Sequence, residues 1–207
     1  MNSAISDSDI DAFLKHAAKQ WAAQHPSRSS DQACFDTGVS FHVAALKCAI
    51  PEPIDGGGVS VPTSPVICCL AFACELYLKA LLISRNRPSR GHKLEMLLNA
   101  LEKADMLGIG KQYEQLTGRR KLVMVKDVTL VSDAFVEWRY IFESGTTTLS
   151  LARLSNIALA FYQHVRLSRS DWLVAENLDI KVRTPLAEDV ALMISIGGGR
   201  MVRAIRG

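Results

Sequence analysis

One histidine in the sequence lies among basic residues where an anion could bind. Four cations and no acid stand within a few residues of His92 in the segment 85–93: Arg85, Arg87, Arg90 and Lys93. His92 also stands at a predicted helix start, where backbone amides and the helix dipole favour anions. We therefore expect a phosphate site in which arginine makes two hydrogen bonds and His92 donates a proton. The alternative is that His92 caps its helix, with Glu95 reaching back, while the arginines form a solvated loop.

Two further pairs of polar residues lie on predicted helices. Arg139 and Tyr140 either face a cleft and contact phosphate, or Arg139 pairs with Glu143 across one helical turn. Glu75 and Lys79 are four residues apart in an apolar segment. They either line a cleft or form a salt bridge along one edge of that helix.

The net charge is too small for a general nucleic-acid-binding surface. The formal net charge is +3, and three arginines near the C-terminus account for all of it: Arg200, Arg203 and Arg206. A polyanion would therefore have to bind at local clusters, either the segment 85–93 or a second one at residues 119–121 (RRK).

The cysteines and the N-terminus indicate a cytoplasmic protein without a metal. The sequence has five cysteines, and four of them lie in apolar stretches predicted to be helical: Cys34, Cys48, Cys68 and Cys74. The adjacent Cys68 and Cys69 lack the spacing of a zinc knuckle, so we expect no metal and no cofactor. The acidic N-terminus is unlike a secretory signal, and charges interrupt the longest apolar segment, so we expect no export and no membrane span.

Apolar periodicity predicts helices along most of the chain. The first is expected from Ser8 to Gln24, and the second from Ser30 or Asp31, its buried face being residues 35, 39, 43, 46 and 50. Residues 51–65, rich in Pro and Gly, are predicted to be irregular. The segment from Pro65 to about residue 84 is apolar almost all round, which predicts a central helix surrounded by others.

The second half of the chain continues the helical pattern with one ambiguous segment. A helix with leucines at 94, 97, 98 and 101 is predicted to stop near Gly108, and residues 111–131 are read as a short hairpin or an irregular excursion. Further helices are expected at residues 132–145 and 151–167. The prediction is an all-α, up-and-down bundle of four to five main helices: residues 1–29 pack on it, 30–167 form it, and 168–207 are an irregular, poorly ordered or partly extended tail.

Several segments in this order resemble the HEPN superfamily of prokaryotic helical-bundle domains. They are ELYLKALL (75–82), GHKLEMLL (91–98), WRYIFE (138–143) and the closing amphipathic helix. The resemblance covers roughly residues 30–167. It implies a bundle that is usually dimeric and that acts in toxin–antitoxin modules, phage defence or the handling of RNA and nucleotides. Many such domains are metal-independent ribonucleases with an Arg, a polar residue and, a few positions later, a His on a late helix.

The chain departs from that ribonuclease motif. No histidine follows Arg139 until His164. The leading hypothesis is therefore an RNA- or nucleotide-associated protein without the usual dyad, with Arg85, Arg87, Arg90, Lys93 and Tyr140 contacting phosphate. One alternative is a metal-independent endoribonuclease using His92 with Arg139 or Arg87. Another is a non-catalytic dimerisation or protein-interaction module. The expected partners are a second copy of the chain and an antitoxin or nucleotidyltransferase.

Overall fold

Seven helices make up most of the part of the chain that the structure describes. The structure is a computed structural model, and it describes residues 11–13, 15–16, 29–50, 52–54, 58–140, 146–172, 191–195 and 202–203. The helices are α1 (Ser30–Cys48), α2 (Thr63–Ser84), α3 (Leu94–Asn99), α4 (Lys103–Thr117), α5 (Lys121–Leu130), α6 (Ala134–Arg139) and α7 (Leu151–Ser168). They carry nearly all of the described core, which confirms the predicted all-α bundle.

The central helix is α2, as the apolar sequence after residue 62 predicts. Most of its side chains are buried, and one face, through Cys68, Phe72, Leu76 and Lys79, is partly buried. Tyr77 is fully buried and lies between Phe35 of α1 and Tyr162 of α7, with ring centroids 5.6 and 6.0 Å away. Helix α1 runs antiparallel to α2, because Cys34 lies against Leu76 while Phe41 packs on Phe72. A Cβ on Gly38 would lie 2.9 Å from the Tyr77 ring, so glycine permits this close approach.

Helix α2 is also the one described helix that is long and apolar enough to cross a membrane. Its most apolar window has a mean hydropathy of 2.2, and 67% of that window is buried inside the protein. The central helix of a globular bundle has the same length and composition, so this feature is weak support for a membrane span.

The predicted buried face of α1 is wrong in its second half. Phe35 and Val39 are buried as expected, whereas Leu46 and Ile50 are 36% and 57% exposed. The covered face instead continues through His42 and Ala45. Polar His42 is buried because its Nδ1 lies 3.2 Å from the hydroxyl of Tyr77, a pairing that apolar periodicity does not reveal.

The predicted helix end near Gly108 is also wrong. Helix α3 ends at Asn99, and a separate helix, α4, continues through Gly108 to Gly118, whose φ of 69° ends it in the left-handed conformation. The imidazole of His164 in α7 occupies the space beside Gly108, where a Cβ would lie 2.3 Å from the ring. Glycine therefore serves helix packing here and does not end the helix.

The segment LVMVKDVTLV is a helix and neither a hairpin nor an irregular excursion. Met124 and Val128 of α5 are fully buried on one face, together with Asp127. Leu122 and Leu130 on other faces are 77% and 67% exposed. The β-branched composition favoured a strand, but packing against α3, α4 and α7 overrides that weak preference.

Short strands occupy two places outside the helical core. β1 (Glu52–Ile54) pairs antiparallel with β2 (Gly58–Ser60), so part of the segment predicted to be irregular is a small hairpin. β3 (Thr146–Ser150) pairs with β4 (Ala191–Ser195), which pairs with β5 (Val202–Arg203). Of the predicted C-terminal tail, residues 169–172 form a turn in which Trp172 is buried, and the strands β4 and β5 are extended. Of the predicted first helix, residues 11–13 and 15–16 are helical, and the remainder lies outside the described residues.

Candidate functional site

A buried carboxylate holds the histidine that the sequence singled out. Glu75 on α2 is 1% exposed, and its Oε1 accepts a hydrogen bond from Lys79 Nζ at 2.7 Å. His92 Nδ1 lies 3.0 Å from the same oxygen. The spacing of four residues places Glu75 and Lys79 one turn apart on α2, and the turn at Gly91, with φ of 91°, precedes the histidine. The predicted Glu75–Lys79 salt bridge is confirmed, and it includes a third residue.

This contact determines which ring nitrogen of His92 faces outward. With Glu75 ionised, Nδ1 carries the hydrogen and donates it to the carboxylate, so the neutral ring keeps Nε2 as an acceptor. The His92 side chain is 57% exposed although its partner is buried. Glu75 therefore orients the His92 ring from its buried side, and the rest of the ring is accessible to solvent.

His92 and Arg139 share an aromatic neighbour, and Tyr140 contacts Arg139. The Phe135 ring of α6 is 6.0 Å from the His92 ring, and the Arg139 guanidinium lies 5.2 Å from the Phe135 centroid and 4.6 Å from that of Tyr140. Trp138, 1% exposed, anchors α6 on the core, so the helix presents Arg139 outward. We call Glu75, Lys79, His92, Phe135 and Arg139 the His92 cluster.

Two backbone N–H groups at the start of α3 donate hydrogen bonds to another residue of the protein. The N–H groups of Leu94 and Glu95 donate to the carbonyl and hydroxyl oxygens of Ser132, at 3.2 and 3.0 Å. These two amides are thus unavailable to an anion. The alternative in which His92 caps the helix is wrong, because Lys93 occupies the N-cap position and the Ser132 hydroxyl accepts the N–H of Glu95. Lys93 Nζ lies 3.3 Å from Asp133, and both side chains are largely exposed.

The arginines of the loop after α2 make their ion pairs at the start of α4. Arg85 Nε lies 3.5 Å from Asp105, and Arg87 donates to the carbonyl of Ala100. Both arginines are also 4.0 Å from Glu102. Arg90 is exposed and has no ion pair among the described residues. The structure thus places His92 and Arg139 beside the same ring, Phe135, and directs Arg85 and Arg87 to α4.

Asp105, His164 and Ser168 have the residue types of a hydrolytic triad but not its geometry. Asp105 Oδ1 and Ser168 Oγ both lie near His164 Nε2, at 3.0 and 3.2 Å. A triad needs the acid and the nucleophile on different ring nitrogens. Here Nδ1 is packed against Gly108, and the histidine is 8% exposed. This group therefore joins α4 to α7.

A second polar group, which the sequence reasoning missed, surrounds Asp127 of α5. Asp127 Oδ2 accepts from the Tyr113 hydroxyl and lies 3.5 Å from Arg119, and Oδ1 lies 2.8 Å from Arg153 Nε. Burial, followed by the hydrogen bond to Asp127, raises the pKa of Tyr113. An acid in the apolar run LVMVKDVTLV was the available signal, because a buried carboxylate needs cationic or donor partners.

The described residues contain no cluster with the composition of a metal site. No group of three or more His, Cys, Asp or Glu side chains could hold a metal ion within them. The five cysteines are free thiols. Burial raises the pKa of the Cys34 thiol to about 11 and also raises the pKa values of Cys68, Cys69 and Cys74, so these thiols are poor nucleophiles.

Comparisons with known proteins assign no family to this geometry. No family model matches the chain, and no curated protein or solved structure gives a significant match. The resemblance to HEPN domains therefore stays a prediction from the sequence segments quoted above.

Proposed function

We propose that the chain is a HEPN-like, RNA- or nucleotide-associated cytoplasmic protein of a prokaryotic defence or toxin–antitoxin system, without the usual ribonuclease dyad. In this proposal the His92 cluster contacts phosphate. The observation that carries it is the contact between buried Glu75 and His92, which fixes the ring while the histidine stays 57% exposed. A side chain held in this way is pre-organised for a ligand.

Arg139 supplies the charge that a phosphate contact requires. Its guanidinium lies over the rings of Phe135 and Tyr140, which restricts its motion while its N–H groups, in the plane of the guanidinium, can still donate. Arginine binds phosphate oxygens through two parallel hydrogen bonds. Arg90 and Lys93 are exposed on the neighbouring loop and add longer-range attraction.

Binding of a fluorescent single-stranded RNA, measured by anisotropy over a salt series, tests the proposal. We expect Arg139→Gln to weaken binding about tenfold and to lower the salt slope by about one. The matched control is Arg120→Gln, which removes the same charge from an exposed position outside the His92 cluster. Absence of salt-dependent binding by the wild type would contradict the proposal and favour the non-catalytic interaction module.

The endoribonuclease alternative is favoured by the same orientation of His92. A histidine oriented by a carboxylate can transfer protons, and Arg139 can stabilise the charged phosphate in the transition state. Arg139 suits this role better than Arg87, whose guanidinium donates to Ala100. Cleavage of RNA in the presence of a chelator would support it, with His92→Ala lowering the rate at least about 100-fold. Glu75→Gln should change the pH profile of cleavage, and no detectable cleavage by the wild type would exclude it.

The predicted assembly is tested separately. A homodimer would show twice the chain mass in light scattering after gel filtration, and co-purification of the chain with the product of a neighbouring gene would identify an antitoxin or nucleotidyltransferase partner. A monomer at all concentrations would contradict the homodimer.

A further inference from the structure

An open pocket lies between α4, the start of α7 and the turn before α5, and it shares no residue with the His92 cluster. Its volume is about 310 Å³ when measured out to its solvent-facing mouth. The residues that line it include two cations, several hydroxyls, one amide and no acid: Tyr113, Thr117, Arg119, Ser150, Ala152, Arg153 and Asn156. A pocket lined in this way can donate hydrogen bonds and repels cations.

The carboxylate that lies within ion-pair distance of both arginines, Asp127, is behind the pocket wall. The Asp127 side chain is 5% exposed, and both of its oxygens have protein partners. Arg119 and Arg153 are 37% and 31% exposed. Asp127 approaches Arg153 at Nε, and no described residue accepts a hydrogen bond from the terminal nitrogens of that arginine. Two guanidinium groups therefore line the pocket, and no acid is among its lining residues.

Asn156 adds a neutral polar group to the pocket wall. The residue is 9% exposed and lines the pocket, and its side-chain amide makes no hydrogen bond to a described residue. The amide atoms are not among the buried polar atoms that lack a partner, so they reach the solvent in the pocket and are accessible to a group that enters it. The amide and the Arg153 guanidinium approach the pocket from the same helix, three residues apart on α7.

The rest of the pocket is held by local hydrogen bonds. Ser150 caps α7 by accepting the N–H of Arg153 at 3.3 Å, and its own hydroxyl hydrogen is free to point elsewhere. Thr117 donates to the carbonyl of Tyr113 and accepts the N–H of Arg119, which fixes the turn that carries Arg119. The donors are thus positioned before any ligand binds, which lowers the entropic cost of binding.

We propose that this pocket binds a phosphate group, either inorganic phosphate or the phosphate of a small phosphorylated molecule. Arg153 and Arg119 would donate to its oxygens, with Asn156 and Ser150 as neutral donors. A phosphate carries several acceptor oxygens and up to two negative charges, which matches two guanidinium groups partly neutralised by one carboxylate. The proposal does not depend on the His92 cluster, so either can fail without the other.

The test measures phosphate binding by the full-length chain at constant ionic strength. In ¹H–¹⁵N spectra, inorganic phosphate should shift the Asn156 side-chain amide with a Kd of about 1 mM or tighter. AMP is the second probe: shifts by AMP at lower concentration than by phosphate would identify a phosphorylated small molecule, and equal or weaker shifts would identify free phosphate. No shift with either probe would overturn the proposal.

Two variants distinguish a built site from general attraction of anions. Arg119→Gln should weaken phosphate binding at least about tenfold, whereas Arg120→Gln, at the adjacent exposed position, should leave it within about twofold. Asn156→Leu keeps the side-chain size and the charge, and it should weaken binding about fivefold without Asp127 losing a partner. Equal affinities in Arg119→Gln and Arg120→Gln, or unchanged affinity in Asn156→Leu, would overturn the proposal.

Discussion

Single buried polar residues determine much of how this bundle is held together. His42, Glu75, Asp105, Asp127 and His164 are each less than 9% exposed, and each contacts a polar partner on another element. Such pairs stabilise the fold only while both members are present, because one member left alone is a buried unsatisfied group.

His42 is expected to make stability depend on pH. Burial lowers its pKa from 6.5 to about 4, so the unfolded chain binds a proton between these values and the folded chain does not. The free energy of unfolding should therefore fall as pH decreases from 6.5 towards 4, by up to about 3 kcal/mol from this residue. Urea titrations across this range measure it.

The comparison that isolates His42 uses two variants. His42→Gln keeps a partner for the Tyr77 hydroxyl but does not titrate. The difference in the free energy of unfolding between this variant and the wild type should therefore shrink as pH falls. His16→Gln, at an exposed position, should leave the pH dependence as in the wild type. If the free energy of unfolding had the same pH dependence in the wild type and in His42→Gln, His42 would not be buried in its neutral form.

At the scale of elements, the presence and approximate positions of most helices were predictable from the sequence, and the exceptions have identifiable causes. The apolar segment of α2 and the amphipathic pattern of α7 predicted both helices. A helix buried on one side has a periodic apolar pattern, and a helix surrounded by others is apolar almost throughout. Gly108 misled the prediction because glycine near a helix end and glycine at a helix crossing look alike. The helix α5 was missed because its burial depends on partners distant in sequence.

The crossing of α4 and α7 at Gly108 predicts that the effect of Gly108→Ala on the free energy of unfolding depends on whether His164 is present. Gly108→Ala should destabilise the wild type by about 1–3 kcal/mol, because the new methyl would overlap the His164 ring. In a His164→Ala background the same substitution should be neutral or stabilising by up to about 1 kcal/mol, since alanine favours a helix over glycine. A double-mutant cycle by chemical denaturation measures both effects.

Equal destabilisation by Gly108→Ala in the two backgrounds would contradict this packing. Gly91→Ala is the contrasting substitution: space is open around that residue, but its φ of 91° penalises any side chain, so its cost should not depend on His164.

The candidate sites were less predictable than the helices. His92, Arg139 and Tyr140 could be selected as polar residues near helix ends, and the structure places His92 and Arg139 beside Phe135 and Tyr140 beside Arg139. The ion pairs of Arg85 and Arg87 with Glu102 and Asp105 could not be foreseen, since they depend on the direction of α4. The pocket beside Asp127 was missed because its residues come from two stretches distant in sequence, 113–119 and 150–156.

At the scale of the whole molecule, the core extends past the end of α7. Trp172 is 3% exposed and packs 5.4 Å from the Phe35 ring of α1, while the guanidinium of Arg169 lies 4.2 Å from its ring centroid. Arg169 also pairs with Asp31 at the start of α1. These contacts join the first described long helix to the last one.

Trp172→Ala should lower the free energy of unfolding by about 3–5 kcal/mol, because it removes a large buried ring and leaves a cavity beside Phe35. Leu167→Ala, five residues earlier at a side chain 68% exposed, should change it by no more than about 0.5 kcal/mol. Thermal and urea unfolding of both variants measure the contrast. Similar losses in the two would place Trp172 outside the core.

The pairing of β3 with β4 has a consequence for shortened versions of the chain. Ser150, which caps α7 and lines the pocket beside Asp127, lies opposite Ala191 in that ladder. A protein trimmed after Trp172 for crystallisation would retain every residue of the pocket and yet leave the strand that ends in Ser150 without its neighbour. Ligand affinities measured on such a fragment would describe an altered cavity wall.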